Sequence, residues 1–151
     1  MQLAISPLRT EDREAWELLA RGYKEFYAKP TTDAEYTACW NRLLAQDDIY
    51  GLGAFTADRR LIGIAHYLFH TAIWAQTNCY LQDLFTSHSA RGNGAARALI
   101  EAVAAEARKR GAARYYWLTQ EDNTVARGLY DKVAKHAGFI RYDYSLRPPD
   151  A

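Results

Sequence analysis

The stretch Tyr80-Leu81-Gln82-Asp83-Leu84-Phe85-Thr86-Ser87-His88-Ser89-Ala90-Arg91-Gly92-Asn93-Gly94-Ala95-Ala96-Arg97 decides the fold. Its first half is a strand whose apolar run ends at Leu84 and Phe85, followed by the polar loop Ser87 to Ser89. Its second half sheds side-chain bulk just where a long helix begins. The first N–H groups of a helix lack internal partners, and its dipole makes that end positive. Small residues there let an anion approach the backbone, so the turn reads as a phosphate or pyrophosphate site beside a strand. The alternative is a tight turn whose glycines only satisfy backbone geometry.

Working outward, the elements before this stretch are a short strand over Gln2 to Ser6 and a helix opened by Thr10-Glu11-Asp12. That helix carries Trp16, Leu19, Ala20 and Tyr23 at helical spacing. Thr32 or Asp33 caps a second helix through Tyr36, Cys39, Trp40 and Leu43. Ile49 to Thr56 and Leu61 to Phe69 form a hairpin across Ala57 to Arg60. After the glycine turn, Leu99, Ile100, Val103, Ala104 and Ala107 mark a buried helix face, and Gly111 stops the helix. Arg114 to Thr119 is an aromatic strand. Asp122 or Asn123 caps a helix with Val125, Leu129 and Val133 on one face, and Phe139 to Leu146 alternates as a last strand. The expected fold is a mixed α/β sheet, mostly antiparallel, with about six or seven strands and about four helices on its faces.

The 151 residues suit one domain over 1–151, with Arg147 to Ala151 as a loose tail. A net charge of +1 argues against a general nucleic-acid binder. Cys39 and Cys79 lack metal spacing and read as reduced thiols of a cytoplasmic protein. No apolar run reaches membrane-spanning length, and the start lacks a signal-peptide profile. The turn is neither a dinucleotide fingerprint, because Arg97 stands where Gly or Ala is needed, nor a nucleotide-hydrolase phosphate loop, because no Gly-Lys-Ser or Gly-Lys-Thr follows.

Arg91-Gly92-Asn93-Gly94-Ala95-Ala96, the element order, and Asn123 followed seven residues later by Tyr130 resemble the GNAT family of acetyl-CoA-dependent N-acetyltransferases. Ile62 to Tyr67, Trp74, Tyr80 to Phe85 and Trp117 to Asn123 narrow the likeness to its diamine and yeast histone/polyamine branch. The resemblance implies direct acetyl transfer from acetyl-CoA, without a metal, to a small-molecule amine (polyamine or amino acid) or a lysine side chain, by a homodimer. It assigns the CoA pyrophosphate to Arg91, Gly92, Asn93, Gly94, Ala95 and Ala96, and the pantetheine arm to Leu84, Phe85 and Thr86, with Asn123 contacting that arm. A splay beside the motif strand would leave an N–H for the thioester oxygen. Tyr130 becomes the acid for the departing sulfur.

One departure matters: the diamine enzymes carry Glu where this chain has Gln82, which cannot take a proton. Strand alternation turns the adjacent Asp83 to the opposite face and gives it a structural role. The base is left open among His66, relaying through water with His70 nearby, Glu25, and bulk water. Trp74, Tyr27, Tyr67 and Tyr80 are candidates to line the acceptor pocket, Trp74 foremost, through its matched spacing to Gln82. The missing carboxylate also admits a second reading, a CoA-binding regulatory or sensor domain without turnover.

Overall fold

The computed structural model describes residues 2–149. In order these form β1 (Ala4–Pro7), α1 (Arg13–Phe26), α2 (Asp33–Ala45), β2 (Ile49–Phe55), β3 (Leu61–Thr71), β4 (Thr77–Thr86), α3 (Ala95–Lys109), β5 (Tyr115–Tyr116) and α4 (Thr124–Val133). Short 3-10 turns at Thr10–Asp12 and His88–Ala90 lead into α1 and the glycine turn. The strands form one sheet in the order β1-β2-β3-β4-β5, antiparallel throughout except for the parallel β4–β5 pair. Contacts cluster into two units, one running to Leu118 and the other from Thr119.

In the first unit, helices cover both faces of the sheet. α1 buries Trp16, Leu19 and Ala20, its three-and-four stripe. α2 starts at a complete capping box, in which Thr32 accepts from the Glu35 N–H and Glu35 accepts from the Thr32 N–H. α1 and α2 close a core of Leu8, Trp16, Tyr36, Trp40, Leu43, Phe55 and Ile64. Gly51 lets α2 settle this close, since a Cβ there would lie 2.9 Å from Leu8 and 3.2 Å from Leu43. α3 buries Leu99, Ile100, Val103 and Ala107, and packs against β2, β3 and β4. Gly111, with φ +68°, ends the chain's course out of α3.

β4 holds the feature that sequence alternation missed. His66 pairs with Asp83 and Tyr67 pairs with Leu81, so Gln82 is an extra residue bulged from the ladder. Partners in an antiparallel ladder share a face. Asp83 therefore lies on the same side as His66, whereas unbroken alternation would place it on the side of Leu81. Beyond the bulge, Ala65↔Leu84, Ile64↔Phe85 and Gly63↔Thr86 resume the ladder. On its other edge β4 meets β5 only at Cys79↔Tyr115 and Tyr80↔Tyr116. From Leu81 onward that edge has no strand partner among the described residues.

In the second unit, α4 follows Asn123, whose side-chain amide donates to Thr119 Oγ1 at 3.1 Å rather than capping the helix. None of its residues is buried, and Val125 is exposed, so it presents no buried stripe of its own. The expected strand over Phe139 to Leu146 does not form. These residues belong to no ladder, and Phe139, Ile140, Tyr142, Tyr144 and Leu146 are all more than three-quarters exposed. Alternation specifies two faces but supplies no neighbouring edge, and a strand without an edge leaves its N–H and C=O groups in water. Among the described residues the sheet accordingly has five strands rather than the expected six or seven.

Candidate active site

The glycine turn comes first. Gly92 and Gly94 have φ of +85° and +79°, conformations that cost a residue with a Cβ, and no atom lies within 4 Å of where either Cβ would be. The glycines thus serve backbone geometry and leave the space outside it open. Ala98 N–H makes the first bond of α3, to Gly94 O at 3.0 Å. The N–H groups of Gly94, Ala95, Ala96 and Arg97 have no acceptor among the described residues. Such a row at a helix start binds an oxygen-rich anion. Leu84, Phe85 and Thr86 lie immediately upstream, on the open part of the β4 edge.

The second component is a cavity of about 240 Å³ on the α1–α2 side of the sheet, lined by Trp16, Tyr23, Lys24, Cys39, His66 and Asp83, among others. Trp16 Nε1–H donates to His66 Nε2 at 2.9 Å, and His66 Nδ1 lies 2.9 Å from Asp83 Oδ2. An indole N–H can only donate. His66 Nε2 must therefore be the unprotonated nitrogen, and Nδ1–H donates to Asp83. Burial pushes the Asp83 carboxyl up, but the His66 hydrogen bond, the Tyr23 hydroxyl and the Lys24 charge together hold it below the ordinary carboxylate range. The same neighbourhood acts on the nearby acids in the other direction. Burial, then the Asp83 charge, raise the Tyr23 phenol and the Cys39 thiol, which stay protonated at neutral pH.

The sequence candidates divide accordingly. His66 faces this cavity, but both its nitrogens are committed, which leaves it no lone pair for a substrate proton. Gln82 touches the cavity rim and is exposed; its backbone carbonyl accepts from Tyr23 Oη at 3.4 Å. Glu25 lines an adjoining open groove with Lys29 and Pro30, which shares Lys24, Thr31 and Tyr36 with the cavity. Tyr27 packs against Tyr23, with ring centroids 4.8 Å apart, and lines neither space. Trp74 is 98% exposed in the β3–β4 turn. Tyr80 stacks on Tyr116 at 5.0 Å, and Tyr67 stacks on Tyr50 at 5.4 Å. Within the second unit, Asn123 and Tyr130 lie two turns apart along α4, on one side of it. Tyr130 is half-buried.

Three residues of the cavity went unremarked or misplaced in the sequence. Trp16 stands in the sequence only as part of the α1 stripe, Lys24 is not singled out there, and Asp83 has a structural role. The one available signal was Asp83 itself, an acid inside an apolar strand, where an unpaired charge is rare.

An inner strand with half its edge open runs into a helix whose first N–H groups are bare, an arrangement that suits an extended ligand ending in an anion. The sequence agrees. The profile of the acetyltransferase (GNAT) family matches residues 13–135, and the chain belongs to that family. It is 31% identical over 144 residues to the D-amino-acid N-acetyltransferase HPA3 of Saccharomyces cerevisiae, covering 93% of this chain and 89% of that one. Among solved structures, the fold matches AAC(6')-Iy in complex with a CoA-containing bisubstrate analogue, with a TM-score of 0.85, 20% identity, and 97% and 99% of the two chains covered. It also matches a ribosomal-protein-alanine N-acetyltransferase from Brucella melitensis biovar Abortus 2308, with a TM-score of 0.78, 20% identity, and 97% and 100% covered. The chain is an acetyl-CoA-dependent N-acetyltransferase. No helix among the described residues is long and apolar enough to cross a membrane.

Proposed function

We propose that this enzyme acetylates a small-molecule amine, with the CoA pyrophosphate held by backbone N–H groups between Arg91 and Ala96. The observation that carries this reading is the pair of positive-φ glycines with open space around them, followed by the bare N–H groups of α3. The open β4 edge at Leu84, Phe85 and Thr86 suits an arm that adds as a strand. When bound, acetyl-CoA supplies an activated acetyl thioester. In this reading Tyr130 gives a proton to the departing sulfur and Asn123 steadies the arm. The matched family segment runs through both residues, which supports treating 1–151 as one catalytic domain.

The named acceptor of the yeast relative, a D-amino acid, belongs to the same broad class of small amines. The two free cysteines suit a cytoplasmic enzyme. The exposed alternating segment from Phe139 to Leu146 suits a homodimer in which a second copy covers it.

The test is acetyl-CoA binding by thermal shift, followed by CoA release against a panel of amines. A ligand at 100 times its Kd adds about 2.7 kcal/mol, so binding is readily visible. No shift at millimolar acetyl-CoA overturns the donor site. A shift without turnover on any amine overturns the acetylation of small amines.

A further inference from the structure

The cavity under α1 contains two opposite charges that the fold leaves unpaired with each other. One is Asp83, fixed by the Trp16–His66–Asp83 chain of hydrogen bonds at 2.9 Å each. The other is Lys24 of α1, half-buried between this cavity and the adjoining groove, which makes no hydrogen bond or ion pair among the described residues. The remaining charges there are committed. Glu35 caps α2 through the Thr32 N–H, and Arg42 binds Asp48 at 2.8 Å. The space itself, about 240 Å³, is smaller than the range typical of drug-sized ligands.

Asp83 is not a base for the acceptor. A carboxylate held below its usual range is a far weaker base than an alkylamine, so it does not take the ammonium proton. Its chemistry is that of a counter-ion. A polyamine would place a second cation near Lys24, and neutral Gln82 adds nothing to hold it. A molecule with one ammonium and one carboxylate satisfies both charges.

We propose that Asp83 and Lys24 form a two-point clamp that selects a zwitterionic acceptor, a free amino acid, with the ammonium on Asp83 and the carboxylate on Lys24. This rests on the acetyltransferase reading above. Trp16 and His66 are positioning residues, which fix the Asp83 carboxylate through the His66 tautomer. The docked ammonium first loses one proton to solvent. The nitrogen–carbon bond then forms as the carbon–sulfur bond breaks, and the departing sulfur takes a proton while the nitrogen gives up its second. Each turnover releases one proton to solvent in net.

The experiment measures kcat/KM for both leucine enantiomers, leucinamide, isoamylamine and putrescine, in wild type, Lys24→Gln and Lys24→Arg. The clamp requires the better leucine enantiomer to exceed leucinamide and isoamylamine by at least about tenfold, the worth of one charge-assisted hydrogen bond. Lys24→Gln should abolish that ratio through KM, and Lys24→Arg should keep most of it. Histidine ¹⁵N spectra should show His66 protonated at Nδ1, and Trp16→Phe should relax that preference and raise the leucine KM more than it lowers kcat. Equal rates on leucine and leucinamide, a preference for putrescine, or an unchanged ratio in Lys24→Gln would each overturn the clamp while turnover upholds the acetyltransferase. Absence of acetyl-CoA binding would instead fail the underlying reading.

Discussion

The glycine turn and the α1 cavity are built by opposite means. The turn works by omission: two glycines and two alanines leave backbone N–H groups in the open. The cavity works by convergence, because Trp16, Lys24, His66 and Asp83 arrive from three elements. Omission is local in sequence and tolerates almost any neighbour. Convergence depends on helix placement and strand parity, so the acceptor side can change with few substitutions while the donor side stays fixed.

The largest expected effect breaks the donor half. Gly94→Val forces a β-branched residue into a left-handed conformation and puts methyl groups before the α3 N–H groups. Acetyl-CoA affinity should fall about 100-fold or more by calorimetry, in line with the loss of several hydrogen bonds to a charged ligand. Next, Tyr130→Phe should lower kcat by about 10² with little change in either KM, as removal of a general acid does. A full rate at every pH would remove Tyr130 from the chemistry.

A smaller effect tests the acceptor half. Asp83→Asn should raise the acceptor KM by about tenfold while leaving acetyl-CoA affinity intact, because a charged hydrogen bond becomes a neutral one. The same variant has a pH signature. Asp83 is held lower in the folded state than when unfolded, so its stabilisation is present above the unfolded value near ~3.9. It disappears as pH falls through the lower folded value. Urea unfolding between about pH 5 and pH 2 should therefore flatten in Asp83→Asn relative to wild type. Smallest of all, Gln82→Glu should change acceptor kinetics less than about threefold, since a solvated charge is worth under ~1 kcal/mol. A strong gain on putrescine would return Gln82 to the centre of acceptor choice.

The same contrast explains what could be read from sequence. The α1 stripe, the α2 cap, the β2–β3 hairpin and the glycine turn are each set by residues within a few positions of one another, and each is found in the structure. The β4 bulge is not written in Gln82, because period two gives no sign of where a ladder accepts an extra residue. Trp74 shows a second limit: aromatic composition says nothing about which ring is buried. The segment Phe139 to Leu146 shows a third, since a strand pattern needs an edge that local sequence cannot supply.

Gly22 sits in α1 two residues before Lys24, and a Cβ there would lie 2.9 Å from the Phe85 ring. α1 carries Trp16, Tyr23 and Lys24, while Phe85 belongs to the open β4 edge. The missing methyl therefore lets the helix and the strand mesh like adjacent gear teeth. A single methyl at position 22 would have to displace the Phe85 ring, and with it the open β4 edge, so the packing of α1 reaches the donor strand through one side chain.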